Sequence, residues 1–388
     1  MQLLTVSDKN TEQLFLDVPR KIYHKDSNWA CVPDAEIKGI FRKEANKKLE
    51  YGEAVRWVLK SDNGELIGRI AAFYDKRRAF KEQPYAGGIG FFECIDQFDA
   101  AKTLFDEAHQ WLKSKGLEAM DGPINFGENY VHQGLLVDGF MPQGFGMPYN
   151  KPYYKALFEQ YGFRNYFEMY SYHLDLTRPL PQRQERFARH LLSKPDYRLE
   201  HFRFANYDKY LNDIVTIYNG VWSHFHDDYI PLEFDEMEKM LMEVKPLLKE
   251  EFIWFIYHDQ KPIGMLVAFP DFNQLLRKLN GKFDFYGKIR FVFAKLTTKI
   301  TRARLLVAGV LPAYQQTGVV AAAYIRMIDQ MRESGIRELE SSWVGDYNET
   351  VNKMYRMLGS ERAKTHVTYR FLFDRNAHFT RFMAKKNV

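Results

Sequence analysis

The chain repeats itself. Residues 62–75, DNGELIGRIAAFYD, and residues 258–271, HDQKPIGMLVAFPD, set Ile67 over Ile263, Gly68 over Gly264, Ala72 over Ala268, Phe73 over Phe269 and Asp75 over Asp271, at an offset of 196. A polar turn followed by an alternating apolar strand is a common half of a hairpin, so this match alone carries little weight. A second, different signal recurs at nearly the same spacing. FEQYGFRNYFEMYSYHL from Phe158 aligns with YRMLGSERAKTHVTYRF from Tyr355, setting Gly162 over Gly359 and Tyr172 over Tyr369 at an offset of 197. Two supersecondary signals at one period mean two copies of one fold. The length agrees, since 388 residues exceed one ordinary core and fit two domains of roughly 150–200 residues.

Between the copies lies LTRPLPQRQERFARHLLSKPDYRLE, where prolines bracket a basic amphipathic stretch from Gln182 to Ser193. Proline stops regular structure, so this predicts a linker holding a short helix. The predicted domains are residues 1–177, a linker at 178–199, and residues 200–388 with an insertion at 272–304. Each copy reads hairpin, strand, helix, strand, short helix, closing strand. In the first, AVRWVLKSDNGELIGRIAAFYD is the hairpin, and the helix DAAKTLFDEAHQWLKSKG takes Asp99 as cap and Gly116 as stop. In the second, EFIWFIYHDQKPIGMLVAFPD is the hairpin, RARLLVAGVL the central strand and IRELESSWVG the next one. The expected class is α/β (α+β): two tandem domains, each a mixed, mostly antiparallel sheet flanked by helices.

The second copy places VLPAYQQTGVVA between its central strand and a long amphipathic helix. A strand, tight loop and helix can aim several backbone N–H groups and a helix N-terminus at an anion. Near the end, NETVNKMYRMLG sets Asn348, Val351, Tyr355 and Gly359 at fixed spacing. These two stretches, in this order of elements, resemble the GNAT acyltransferase superfamily. Its Q/R-x-x-G-x-G/A pattern matches here at Gln315 and Gly318, with Val320 where the family prefers glycine or alanine. The resemblance implies acetyl-CoA or a longer acyl-CoA as co-substrate, an acyl-carrier protein being the other donor. It implies a pyrophosphate held by Val310, Gln315, Gln316, Thr317, Gly318, Val319 and Asn348; no metal is expected, since the sequence shows no convincing ligand set. It also implies Tyr355 beside the thioester sulfur as the acid that protonates the leaving thiolate. A phenol with a pKa of about 10 suits a thiol near 8.5; packing of the helix against the sheet is the plainer role for the same ring.

The first copy keeps the helix motif as NKPYYKALFEQYGF, but Phe158 stands in the tyrosine's place and no Q-x-x-G loop follows its central strand. Asp96 and Asp99 at the next helix start would repel a pyrophosphate. This copy is expected to be degenerate for cofactor binding. Over the whole length, FLDVPRKIYHKDSNWACVP, GPINFGENYVHQGLLVDGF, IYNGVW and ELESSWVGDYN are similar to a bacterial family of tandem GNAT-like proteins. Some of its members are linked to N-acylation of long-chain bases in sphingolipid synthesis.

Acyl transfer needs an acceptor freed of a proton beside a positioned thioester. GVWSHFHDDYIP gathers His224 and His226 with two aspartates, a proton acceptor or a solvated loop, and the spacing also suits a metal pair in a strand. Glu340 and Trp343 lie on the strand beside the central strand; Glu340 is a second candidate base, or a core-edge carboxylate paired with an arginine. Asp271 and Asn273, at the end of a hairpin strand, and Asn125 and Glu128, in the first copy, are candidate substrate contacts. An Asx turn explains the first pair nearly as well. The acceptor is expected to be a small-molecule or lipid-like amine.

The insertion is the strongest charge feature. Residues 277–304 hold nine lysines or arginines and one acid, interleaved with Phe283, Phe285, Tyr286, Phe291, Phe293 and Leu296. That composition suits an amphipathic element on an anionic membrane or an acidic carrier protein, and less so nucleic acid, since the net charge is only +5. Cys31 and Cys94 are too few for a disulfide framework or a cysteine zinc site and fit a reducing compartment. The opening MQLLTVSDKNTEQLF lacks a signal-peptide pattern, and no apolar run approaches the ~18 residues of a membrane span. The expectation is a cytoplasmic enzyme, peripheral at the inner face of the membrane if the insertion meets lipid. A non-catalytic GNAT-fold protein that senses an acyl thioester or lipid is the alternative.

Overall fold

The structure is a computed structural model, which describes residues 1–126, 133–223, 231–282 and 285–383. The first copy runs β1 (Gln2–Thr5), α1 (Lys9–Ile22), α2 (Asp34–Ile40), β2 (Gly52–Lys60), β3 (Leu66–Asp75), α3 (Lys76–Ala79), β4 (Ala86–Cys94), α4 (Phe98–Ser114), β5 (Ala119–Gly122), β6 (Leu135–Asp138), α5 (Tyr154–Tyr161) and β7 (Arg164–Asp175). Helix α6 (Gln182–Leu192) follows. The second copy runs β8 (Tyr197–His201), α7 (Tyr207–Trp222), α8 (Phe234–Val244), β9 (Ile253–His258), β10 (Lys261–Pro270), α9 (Asn273–Leu276), α10 (Phe285–Thr297), β11 (Arg302–Val310), α11 (Val319–Glu333), β12 (Glu338–Gly345), α12 (Glu349–Met357) and β13 (Glu361–Leu372).

The hairpins, central strands and closing helices fall where the sequence places them. One cap does not: α4 begins at Phe98 behind Gln97, and Asp99 sits inside the first turn rather than capping it. A carboxylate there still favours the positive end of the helix. Gly162 and Gly359, equivalent by the repeat, both adopt positive φ at the ends of α5 and α12, as a glycine stop requires.

The chain forms two compact units that cut across the copies. Unit 1 comprises Met1–Met169, Phe272–Lys299 and Lys364–Phe382; unit 2 comprises Tyr170–Asp271 and Ile300–Ala363. In unit 1, β1, β2, β3 and β4 pair antiparallel in sequence, β4 pairs parallel with β5, and β5 pairs antiparallel with β13, Tyr369 opposite Gly122. Strand alternation puts Trp57, Leu59, Ile70 and Ala72 against α4 and Val58 and Ala71 against α1. The insertion also belongs to this unit: Phe272 meets Phe145 edge-on at 5.5 Å, and the Asp34 N–H donates to the Gly281 carbonyl at 3.0 Å.

In unit 2 the order is β7, β12, β11, β10, β9, β8, with β11 and β12 the parallel pair. Trp254, Ile256, Leu266, Ala303 and Leu305 face α6, α11 and α12, while Ile253, Phe255, Tyr257 and Met265 face α7 and α8. Each unit is thus closed by the last strand of the other copy: Tyr170–Asp175 of β7 lies in unit 2 and Lys364–Leu372 of β13 in unit 1. The sequence divides the chain by repeat, whereas the units divide it by packing.

Candidate active site

Unit 2 contains a fork in its sheet. Strands β11 and β12 pair from Arg302–Glu338 to Leu305–Ser341, yet β11 runs on to Val310 and β12 to Gly345. Beyond Leu305 and Ser341 the pairing of the two strands ends. Val310 itself stays in the sheet, opposite Gly264 of β10.

The loop after β11 leads into α11. Pro312–Tyr314 form a single turn, Gln315 is extended, Gln316 adopts φ +66° and Gly318 φ +82°. Thr317 closes the loop by donating its hydroxyl to the Tyr314 carbonyl at 2.7 Å. Gly318, the cap of α11, has no side chain with which to bond the first turn, and the Val319 N–H reaches the Thr317 hydroxyl at 3.4 Å. Val319 is buried, and Val320 packs against the core beneath the helix. The β-branched side chain of Val320 is half-buried and has core contacts. A Cβ on Gly318 would lie 2.4 Å from the Phe187 ring of α6, so the linker helix covers this loop with an aromatic side chain.

On the α11 and α12 face of the fork three hydroxyls converge. Tyr324 and Ser341 share a hydrogen bond at 2.9 Å, and the Tyr355 ring packs 5.6 Å from that of Tyr324. Burial pushes the Tyr324 phenol up to about 12 and Tyr355 further above its ordinary value. Tyr355 is 3% exposed and packs its ring 5.3 Å from Tyr172. Tyr172 donates to Asn352 at 2.8 Å, and Asn352 donates to the Gly345 and Asn348 carbonyls. Asn348 caps α12, accepting from the Val351 N–H at 3.2 Å.

On the opposite face Glu340 stands in register with Arg304. Both are buried; desolvation brings the Arg304 guanidinium down to about 10, and the charges of Glu340 and Asp271 hold it up. Arg304 donates to Ser342 at 2.7 Å and lies 4.8 Å from the centre of the Trp343 ring. Asp271 is fully buried and ion-paired with Arg302. Trp222, at the end of α7, reaches within 2.8 Å of a Cβ placed on Gly309, covering β11 beyond the fork.

The fold therefore brings Gln315–Val319, Glu340, Trp343, Tyr355 and Asn348 into one unit. Asn125 and Asn273 belong to unit 1, where Asn273 donates to the Gln143 carbonyl at 3.2 Å and Asn125 lies near Gly90. Glu128, His224 and His226 lie outside the described residues. Sequence reasoning passed over Arg304, Ser341, Ser342, Tyr324 and Phe187. An arginine in the middle of an apolar strand was the available signal for Arg304, since a buried cation needs a buried anion.

Unit 1 has the same fork, filled. Pairing of β4 with β5 ends at Gly88 and Asp121, and there the Ile124 N–H donates to the Ile89 carbonyl at 2.8 Å. A Cβ on Gly90 would sit 1.9 Å from the Ile124 carbonyl oxygen, so the chain itself occupies the opening. Nearby, Glu93 is buried and accepts from Tyr23 and Tyr154 at 2.6 and 2.8 Å. A separate cleft of about 820 Å³ in unit 2, lined by Arg198, Arg203, Lys209, Trp254 and Arg326, holds none of the residues expected from sequence.

Comparison with known proteins bears on the fold. Residues 212–359 match the acetyltransferase (GNAT) family. Protein YghO of Escherichia coli strain K12 is 27% identical over 375 residues, covering 94% of each chain. The bacterial ceramide synthase of Caulobacter vibrioides is 25% identical over 365 residues, covering 92% of this chain and 93% of its own. Among solved structures, a tandem GNAT protein from the clavulanic acid biosynthesis pathway superposes with a TM-score of 0.57 at 11% identity, over 97% of this chain and all of the other. The fold is that of tandem GNAT proteins.

Proposed function

We propose that the protein is an acyl-thioester-dependent N-acyltransferase whose working site is the fork of unit 2, with coenzyme A or an acyl-carrier protein as acyl carrier. The observation that carries this is the coincidence, in one unit, of the parting of β11 from β12 with a glycine-capped N-terminus of α11, while the fork of unit 1 is filled by its own chain. The pyrophosphate, or the phosphate of phosphopantetheine, would take the first-turn N–H groups behind Gln315–Gly318. The thioester would lie along β11 between the parted strands. The acceptor nitrogen attacks the thioester carbonyl, forming the C–N bond as the C–S bond breaks. Its proton passes to Glu340, directly or through water, or to a histidine of the 224–226 segment, and the thiolate takes a proton from Tyr355.

Strand alternation puts Glu340 and Ser341 on opposite faces of the sheet. A group held inside the fork, where neither strand covers it, is open to both. The similarity to a protein named bacterial ceramide synthase supports a long-chain amine as the acceptor. A second reading, a thioester or lipid sensor, draws support from Tyr355 itself, whose phenol is buried among two other tyrosines.

Calorimetry with coenzyme A and a long-chain acyl-CoA, alongside product analysis with a long-chain amine, tests the proposal. Binding with turnover supports it. Binding without turnover under any acceptor leaves the sensor, and absence of binding to coenzyme A, acyl-CoA and an acyl-carrier protein alike overturns the acyltransferase.

A further inference from the structure

Helix α10 wears its apolar side outward. Phe285, Tyr286, Ile289, Val292, Phe293 and Leu296 are between 53% and 81% exposed. At 100° per residue these positions fall within one face of about 120° along the whole helix. The opposite side, Gly287 and Ala294, is buried against unit 1, so the helix is not inverted by chance of packing. A soluble surface helix ordinarily shows the reverse arrangement, and contiguous exposed apolar surface of this kind marks a contact site.

Charge says what covers it. Arg290 and Lys295, both exposed, flank the apolar face on its two sides; Lys282 and Lys299, also exposed, stand beyond its ends. The helix itself carries no acidic residue. The six exposed apolar side chains run along one helix face, a surface that projects from the helix. A lipid interface accepts such a ridge at headgroup depth and places anionic headgroups beside the basic rims. A protein partner would need a matching hydrophobic groove as well as acidic edges.

We propose that α10 lies in the plane of an anionic membrane surface, its apolar ridge among the acyl chains and Arg290, Lys295, Lys282 and Lys299 against the phosphates. This goes beyond acyl transfer and is read without it. The test is sedimentation of the full chain with vesicles of phosphatidylcholine mixed with phosphatidylglycerol, compared with phosphatidylcholine alone. Wild type should pellet with the anionic vesicles, bind the neutral ones at least tenfold more weakly, and come off as salt approaches about 1 M, where the Debye length is about 3 Å. Phe293→Glu with Leu296→Glu should abolish pelleting with an unchanged melting temperature, both side chains being exposed. Arg290→Gln and Lys295→Gln should each weaken binding about fivefold.

Failure of wild type to pellet overturns the proposal, as does pelleting of the double glutamate variant at wild-type strength or equal binding to both vesicles. Monomerisation of a dimer by the glutamate variant, without vesicle binding, would make the ridge a contact between copies. Loss of binding to an acidic carrier protein in the same variant, again without vesicle binding, would make it a docking face for that carrier.

Discussion

At the scale of single residues, two side chains of the fork decide between catalysis and packing. Tyr355→Phe keeps the ring between Tyr172 and Tyr324 and removes only the hydroxyl. Loss of one buried hydroxyl should change stability by no more than about 1 kcal/mol, while loss of a proton donor should lower kcat about 10²- to 10⁴-fold. Steady-state kinetics beside a urea melt separates the two, and a variant with full turnover would leave Tyr355 a packing residue. The raised pKa gives a second readout. Folding favours the protonated phenol, so its contribution to stability is complete below the unfolded value of 10 and is lost as pH climbs above it. Tyr355→Phe should flatten that alkaline loss, and its pH–rate profile below pH 10 should keep the wild-type shape. Glu340 is a harder case, because its charge supports the buried Arg304 guanidinium. Stranding a buried ion typically costs about 3–5 kcal/mol. Glu340→Ala should therefore lower stability on that scale, whether or not Glu340 takes the acceptor's proton. Glu340→Gln, assayed at a temperature where it remains folded, isolates the chemistry: a base should lose turnover with unchanged affinity for the thioester.

Among the elements, the pairing of α6 with the loop before α11 is what the sequence concealed. Hairpins, central strands and the loop were legible because alternation, proline and glycine are local signals. Arg304 with Glu340, and Ser341 with Tyr324 and Tyr355, were not, because they depend on cross-strand register and helix rotation, which no local pattern states. Helix α6 forms where the sequence expects a short helix between prolines, but nothing in that stretch said that Phe187 would cover Gly318. That contact makes a specific prediction. Gly318→Ala places a side chain at φ +82°, costing about 1–2 kcal/mol for the left-handed backbone alone, and it also meets Phe187. Phe187→Ala removes the obstruction, and Phe187 is 48% exposed, so this change should cost little by itself. The double variant should thus recover part of the loss, with a coupling of at least 0.5 kcal/mol in a urea-melt cycle. Strict additivity would mean that the ring merely swings aside. Coenzyme A affinity measured on the same four proteins would show whether α6 also shapes the phosphate loop.

On the scale of the whole molecule, the exchange of closing strands sets what can fold alone. The duplication leaves the same ring pair in each unit, built from opposite copies. Phe158 packs 5.6 Å from Tyr369 in unit 1, and its repeat equivalent Tyr355 packs 5.3 Å from Tyr172 in unit 2. An offset of 197 residues relates both pairs and is silent about which strand serves which core, so the sequence reading drew its boundary at the linker. A fragment of residues 1–177 would keep β1 to β7 yet lose Lys364–Leu372, and with it buried Val367, Tyr369 and Phe371 from the core of unit 1. At about 1.5–3 kcal/mol for each buried large side chain, the deficit is roughly 5–9 kcal/mol, comparable with the 5–15 kcal/mol net stability of a domain. The fragment would also expose the edge of β5 that β13 covers, an invitation to aggregate. The expected outcome is that residues 1–177 expressed alone are insoluble or lack a cooperative melt. Addition of residues 178–388 should restore one, because that fragment carries the missing strand. A soluble, cooperatively melting 1–177 fragment with amide protection in β5 would show that the first copy completes its own sheet, and that β13 is dispensable to it.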